Sequence, residues 1–187
     1  LTLTAVAQTQ KIATINMQKV FDGYYKSKLM TQQISEKRQQ FDETGRQLMD
    51  SYKAICKECE TAEQALKDTT LSADARSKQE STCKALAAKR TEMENRIKDF
   101  SKSVSTTMDA TYQRLRSNIF EDIHNLVAVQ AKNAGYALVL DADAVSIDRS
   151  RIIVYNSGQY DLTETVIKLL NAAAPEDIRK QMEQAAS

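Results

Sequence analysis

Three cysteines, a single histidine and a run of aspartates are the side chains with most chemistry to offer in this 187-residue chain. Cys56-Lys57-Glu58-Cys59 has the spacing of a dithiol redox motif. Such motifs work because a helix N-terminus lowers the thiol pKa, whereas this pair lies inside a long helical repeat beside Glu58 and Glu60. Zinc needs a fourth ligand, and His124 stands too far along the chain to join the cysteines. His124 also lacks a neighbouring nucleophile-elbow motif, so no hydrolytic triad is expected and it reads as a helix-surface residue. Asp141, Asp143 and Asp148 lack the Gly and closing Glu of a helix-loop-helix calcium site and read as turn acids. No Gly-rich phosphate-binding loop occurs either. The chain is expected to carry no catalytic residue, no cofactor and no metal, and it does not read as an enzyme.

A disulfide is the chemistry that remains. Folding the chain back about Thr69 and Thr70 sets position 56 opposite about 83, and Cys59 and Cys83 both fall on apolar seams. A bond between Cys59 and Cys83 is one expectation, with Cys56 to Cys83 as its alternative. Three free thiols packed as small hydrophobes is the other.

The elements that must place these side chains are mostly helical. Only four Gly and one Pro occur and Trp is absent, which suits long helices with a narrow apolar seam better than a fold with many turns. Ile34, Phe41, Leu48, Ile55 and Ala62 recur every seven residues, with Tyr52, Cys59 and Leu66 as a companion series. That is a coiled-coil seam. Gly45 occupies a seam position, as a close approach or a bend. The seam breaks at Lys67 to Leu71, where Ser72 is a good N-cap and Asp74 suits the first turn that follows. A second helix carries Cys83, Leu86, Met93, Ile97, Phe100 and Val104, continues through Met108, Tyr112, Leu115, Ile119, Ile123 and Leu126, and stops at Ala134-Gly135. Two such helices joined by so short a turn double back on each other. Ser101 to Thr107 holds weak helix formers and, with Gly45, suggests a pliable stretch.

Short strands are expected at both ends of the chain: Lys11 to Met17, with Ile12 and Ile15 candidates for burial, Tyr136 to Asp141, and Arg151 to Tyr155. Val20, Phe21, Tyr24 and Tyr25 mark a helix starting near Gln18, and Asp161 or Thr163 caps another with Val166, Ile167, Leu169 and Leu170 on its apolar face. The expected fold class is therefore mainly α with a small β base, an α+β arrangement in which a long antiparallel coiled-coil hairpin projects from a short-stranded body. Residues 1–9 read as the remnant of a signal peptide cut near Ala7. Residues 10–25 and 134–174 form a discontinuous oligomerisation body, 26–133 the hairpin arm with its tip near 67–72, and 175–187 a polar tail, helical or irregular. Three strands and two helices make a meagre core for such an arm, so several copies are expected to pool their bases. Ile12, Ile15, Val20, Phe21, Leu138, Leu140, Ile153 and Tyr155 are the candidates for that body. A formal net charge of +1 speaks against a dedicated nucleic-acid binder. No stretch approaches the roughly 20 apolar residues of a membrane span, so membrane contact is at most peripheral.

The segments KIATINMQKVFDGYYKSK near the front, and NAGYALVLDADAV and RIIVYNSGQYDLTETVIKLLN near the back, separated by a helical hairpin, resemble the Skp (OmpH-like) family of periplasmic chaperones. The resemblance covers Gln10 to Asn171. It implies a homotrimer in which the end segments build the base and three hairpins hang from it around a cavity for unfolded outer-membrane proteins. The family has no catalytic motif. Two features depart from its best-known members, which are strongly basic and do not require cysteines: this chain is near neutral and has three. The first removes the basis for cationic arms that steer acidic clients or meet acidic lipid.

The function implied by the resemblance is an ATP-independent holdase that encloses unfolded clients; the residues alone point to an exported, oligomeric coiled-coil protein. The alternative is a structural coiled-coil spacer or assembly adaptor of the cell envelope. Leu29, Met30, Met49 and Met108 stray from the seam and are candidates for a client-facing surface, since flexible, polarizable Met suits promiscuous contact.

Overall fold

Residues 10–185 are described by a computed structural model. The chain runs β1 (Lys11–Ile15), α1 (Met17–Gly23), α2 (Tyr25–Leu66), α3 (Ala73–Ala134), β2 (Tyr136–Asp141), α4 (Thr163–Asn171) and α5 (Glu176–Ala185). It is mainly helical with one small parallel sheet. The segment expected to be a signal remnant lies outside the described residues. Two compact units result: a base, up to Gln32 and from Gln113 onward, and an arm, Gln33–Tyr112.

In the base, β1 pairs in parallel with β2, with Ile12 beside Leu138 and Thr14 beside Leu140. A parallel pair needs a long crossover, and here the whole of α1, α2 and α3 supplies it. The other edge of β1 is bridged by the approach to α4: Thr14 N–H donates to the Tyr160 carbonyl at 2.9 Å and Leu162 N–H to the Thr14 carbonyl at 2.9 Å. Ala13 and Ile15 point into the core while Ile12 is 47 % exposed. Burial of both isoleucines was expected, yet an odd spacing on a strand puts them on opposite faces. Residues 151–155 are a second correction. Only Arg151 makes a bridge, antiparallel to Val145, and residues 153–157 are irregular. The segment has strand-forming side chains but, among the described residues, no neighbouring strand to complete a ladder.

Helix α1 begins at the N-cap Asn16, whose Oδ1 accepts from Lys19 N–H at 2.8 Å. At Tyr24 the backbone turns extended (φ −80°, ψ 129°) and α2 starts anew. Asn171, at the end of α4, spans this break: its Oδ1 accepts from Tyr25 N–H at 2.9 Å and its Nδ2 donates to the Gly23 carbonyl at 2.8 Å. Both backbone groups are ones a helix terminus leaves unpaired. Gly23 lets α4 come close, since a Cβ there would meet the Ile167 side chain at 3.1 Å. Asn171→Ala is expected to destabilise the base by about 2 kcal/mol, read as a lower urea midpoint; an unchanged midpoint would show that water replaces both bonds.

Phe21 stacks on Phe120 with ring centroids 5.2 Å apart, and Arg116 lies over the Phe120 ring at 4.6 Å. Lys26 reaches Asp122 at 2.6 Å. The Asp122 carboxylate holds the Lys26 ammonium above its usual range, so on the basic side the ammonium of this partly solvated pair keeps its charge until strong alkali. Helix α4 starts where Asp161 Oδ1 accepts from Thr163 N–H at 2.9 Å. The polar tail, left open between helix and irregular chain, forms α5.

In the arm, Phe41 meets Phe100 edge-on at 6.1 Å, and Gln79 Nε2 donates to the Ala62 carbonyl at 3.0 Å. The two helices are therefore antiparallel across a seam that includes Cys59, Ala62, Leu86 and Met93. Asp68 Oδ1 accepts from Thr70 N–H and Oγ1, at 2.9 and 2.7 Å, and folds the tip into an Asx turn. Arg76 donates to the carbonyls of Leu66 and Asp68 at 3.3 and 3.1 Å, which closes the C-terminus of α2. Ser72 caps α3 by accepting from Ala75 N–H at 3.3 Å. Helix α2 continues through Gly45 without a break; its bare Cα faces the Phe100 ring, with room for a Cβ at 3.5 Å.

Candidate functional site

Among the described residues no three His, Cys, Asp or Glu side chains are placed to hold a metal ion. His124 is exposed on α3, tilted against Phe120 at 6.5 Å. Asp141 and Asp143 organise the base: Asp141 Oδ1 accepts from Met17 N–H at 3.2 Å, and Asp143 from the Asn16 amide. Asp148 is a turn acid. Hydrogen bonds from Ser146 and then Ser150 hold its carboxyl at about 2. What the molecule offers a partner is apolar surface, and it does so separately in each unit.

In the base, Ile12, Leu140, Ile153 and Tyr155 line one depression of about 330 Å³ with Tyr160 and Gly158. Four of the eight candidates for the oligomerisation body are thus brought together. Leu138 is also exposed. Ile15, Val20 and Phe21 are instead buried within the single chain. Next to it, Val145, Ile147, Ile152 and Val154 are exposed, Val154 by 91 % and Tyr155 with it by 84 %. Large aliphatic and aromatic side chains exposed so close together in the sequence suit an interaction surface. Sequence reasoning placed Ile152 and Val154 in the strand expected over Arg151 to Tyr155 and did not single out Val145 and Ile147. The missing signal was that no third strand stood ready to pair with it.

The arm has its own groove, about 480 Å³, lined by Phe41, Gly45, Met49, Ile97, Phe100 and Val104 and flanked by Asp42 and Arg46. Met49, one of the client-facing candidates, is 42 % exposed there. Met108, also in the arm, is half-buried. The other two belong to the base, where Leu29 is half-buried and Met30 is buried. A Met30 side chain packed inside the chain has no free surface to present.

A family model, Outer membrane protein (OmpH-like), matches residues 11–170. No curated protein sequence matches the chain. Among solved structures, the chain is similar to a candidate outer membrane chaperone (OmpH-like) from Caulobacter crescentus, at 16 % identity and a TM-score of 0.62, with 92 % of this chain and 90 % of that one covered. The long helices and small sheet share that protein's fold.

Proposed function

Since the chain belongs to the OmpH-like family of outer membrane proteins, we propose that it is an ATP-independent holdase chaperone of the periplasm, which keeps unfolded outer-membrane proteins from aggregating by enclosing them between the helical arms of a homotrimer. The match across residues 11–170 carries this reading, and the description of the similar Caulobacter protein as a candidate outer membrane chaperone is consistent with it. Residues 1–7 serve in this reading as the end of an export signal, cleaved near Ala7. No helix among the described residues is long and apolar enough to cross a membrane.

The mechanism needs no bond making. An unfolded β-barrel precursor presents many apolar side chains, each held weakly, and the multiplicity of contacts supplies the affinity. The base joins three copies through the surface around Tyr155, and the grooves beside Met49 contribute soft contacts that tolerate many sequences. Single substitutions in the grooves should therefore weaken binding only slightly.

The test is dilution of a urea-unfolded outer-membrane β-barrel protein into buffer with equimolar trimer and no nucleotide, followed by turbidity and light scattering. Soluble complexes of one client per trimer are expected. Client aggregation at the unassisted rate, with the protein itself folded, would instead favour a spacer or adaptor of the envelope.

A further inference from the structure

We propose that Cys59 and Cys83 form an intrachain disulfide between α2 and α3, leaving Cys56 as a thiol. The pairing follows from the seam. Gln79 faces Ala62 through a 3.0 Å hydrogen bond, and Arg76 faces Leu66 at 3.3 Å. From Ala62, three residues back along α2 leads to Cys59, and from Gln79, four residues on along the antiparallel α3 leads to Cys83. Farther along the same helices Phe41 meets Phe100, in the same register. Cys83 accordingly packs against the cluster formed by Cys59, Ala62 and Leu86. Cys56 lies one turn away on α2, four residues from Tyr52, whose hydroxyl donates to Glu94 at 2.9 Å. It is out of step with Cys83. All three cysteines are thiols in the reduced chain described here.

The oxidant is a small-molecule or protein disulfide. Cys83, less buried than Cys59, attacks one sulfur of the oxidant as its thiolate and expels one thiol. Cys59, its proton passed to water, then displaces the second thiol from the mixed disulfide on Cys83. Two protein thiols lose two electrons and two protons, and one external disulfide becomes two thiols. The closed loop contains the tip of the arm, and cross-linking it removes freedom from the unfolded chain, which is expected to raise the melting temperature of the arm by about 10 °C. This inference rests on the arm's packing and is independent of what the arm binds.

The experiment treats the full reduced chain with oxidised glutathione, alkylates it, separates it on a non-reducing gel and digests the single-chain band with trypsin. Cleavage after Lys57 separates Cys56 from Cys59, so the three cysteines fall in peptides 54–57, 58–67 and 79–84. Peptide 58–67 joined to 79–84, with 54–57 alkylated, is the expected result. Cys56→Ser should keep the link and the higher melting temperature, and Cys59→Ser should lose both. Three alkylated cysteines, persistent glutathione adducts, a link through 54–57, or a cross-link found only between two chains would each overturn the proposal.

Discussion

A chain carrying Val154→Asp and Tyr155→Asp is expected to run in solution with the mass of a single copy, where the unaltered protein is proposed to run as three, and to keep its helical circular dichroism. Val154 and Tyr155 make no core contact that the folded chain depends on, being 91 % and 84 % exposed. With Val145, Ile147 and Ile152 they form a group of large apolar side chains that a single copy leaves in water. Burying a side chain of this size fully is worth about 1.5–3 kcal/mol, so the group can offset much of the cost of association. The backbone points the same way: among the described residues, the amides of Ile153, Val154 and Tyr155 make no backbone hydrogen bond, and a strand-like segment with free amides is suited to pairing with another chain. Two carboxylates forced into that junction would each have to be desolvated, at several kcal/mol for an unpaired charge. Light scattering at several concentrations decides the matter. A trimer that survives both substitutions would place the contact between copies elsewhere. If single copies form, client protection should fall with them, because enclosure needs more than one arm.

Ile123→Ala, by contrast, is expected to damage the single chain, costing about 3 kcal/mol. Ile123 on α3, Val20 on α1 and Val166 on α4 are the largest fully buried side chains described, and they lie on three different elements of the base. A base this small has few other apolar side chains with which to fill the cavity. Net stabilities of domains are on the order of 5–15 kcal/mol, so the loss is a substantial fraction of the whole. Urea denaturation of the two proteins gives the difference directly. A change under 1 kcal/mol would mean that the neighbouring side chains collapse into the space. The two variants are complementary, since one removes association from a folded chain and the other weakens folding itself.

The arm was legible in the sequence because a heptad is a local pattern: Phe41, Ile55, Cys59 and Ala62 announce their shared face by spacing alone, and Phe100, Leu86 and Cys83 do the same on the returning helix. The start of α3 at Ser72 and its stop at Gly135 were legible for a similar reason, each being set by one residue's conformational or capping preference. The base was harder. Its joints are side-chain bonds between distant residues, such as Asn171 across the break at Tyr24 and Asn16 to Asp143, and nothing in a polar residue's neighbours reveals a partner more than a hundred positions away. The run around Ile153 was misread as a strand because propensity describes what a segment can do and is silent on whether a partner is present. The candidate surface was half legible: Ile12, Leu140, Ile153 and Tyr155 were foreseen as a group, whereas the exposure of Val145 and Ile147 emerged only with the loop that carries them.

The parallel pairing of β1 with β2 also dictates an order of assembly. Met17, just after β1, donates to Asp141 at the end of β2, 124 residues later. During synthesis β1 emerges first and can do nothing until almost the entire chain has followed it. The helices between them need only near neighbours and can coil as soon as the tip at Asp68 has passed. The hairpin should therefore be the first part of the newborn chain to fold and the sheet the last. For that interval the apolar side chains of the base are themselves unfolded client, exposed to the same hazard that the finished protein is proposed to relieve in others.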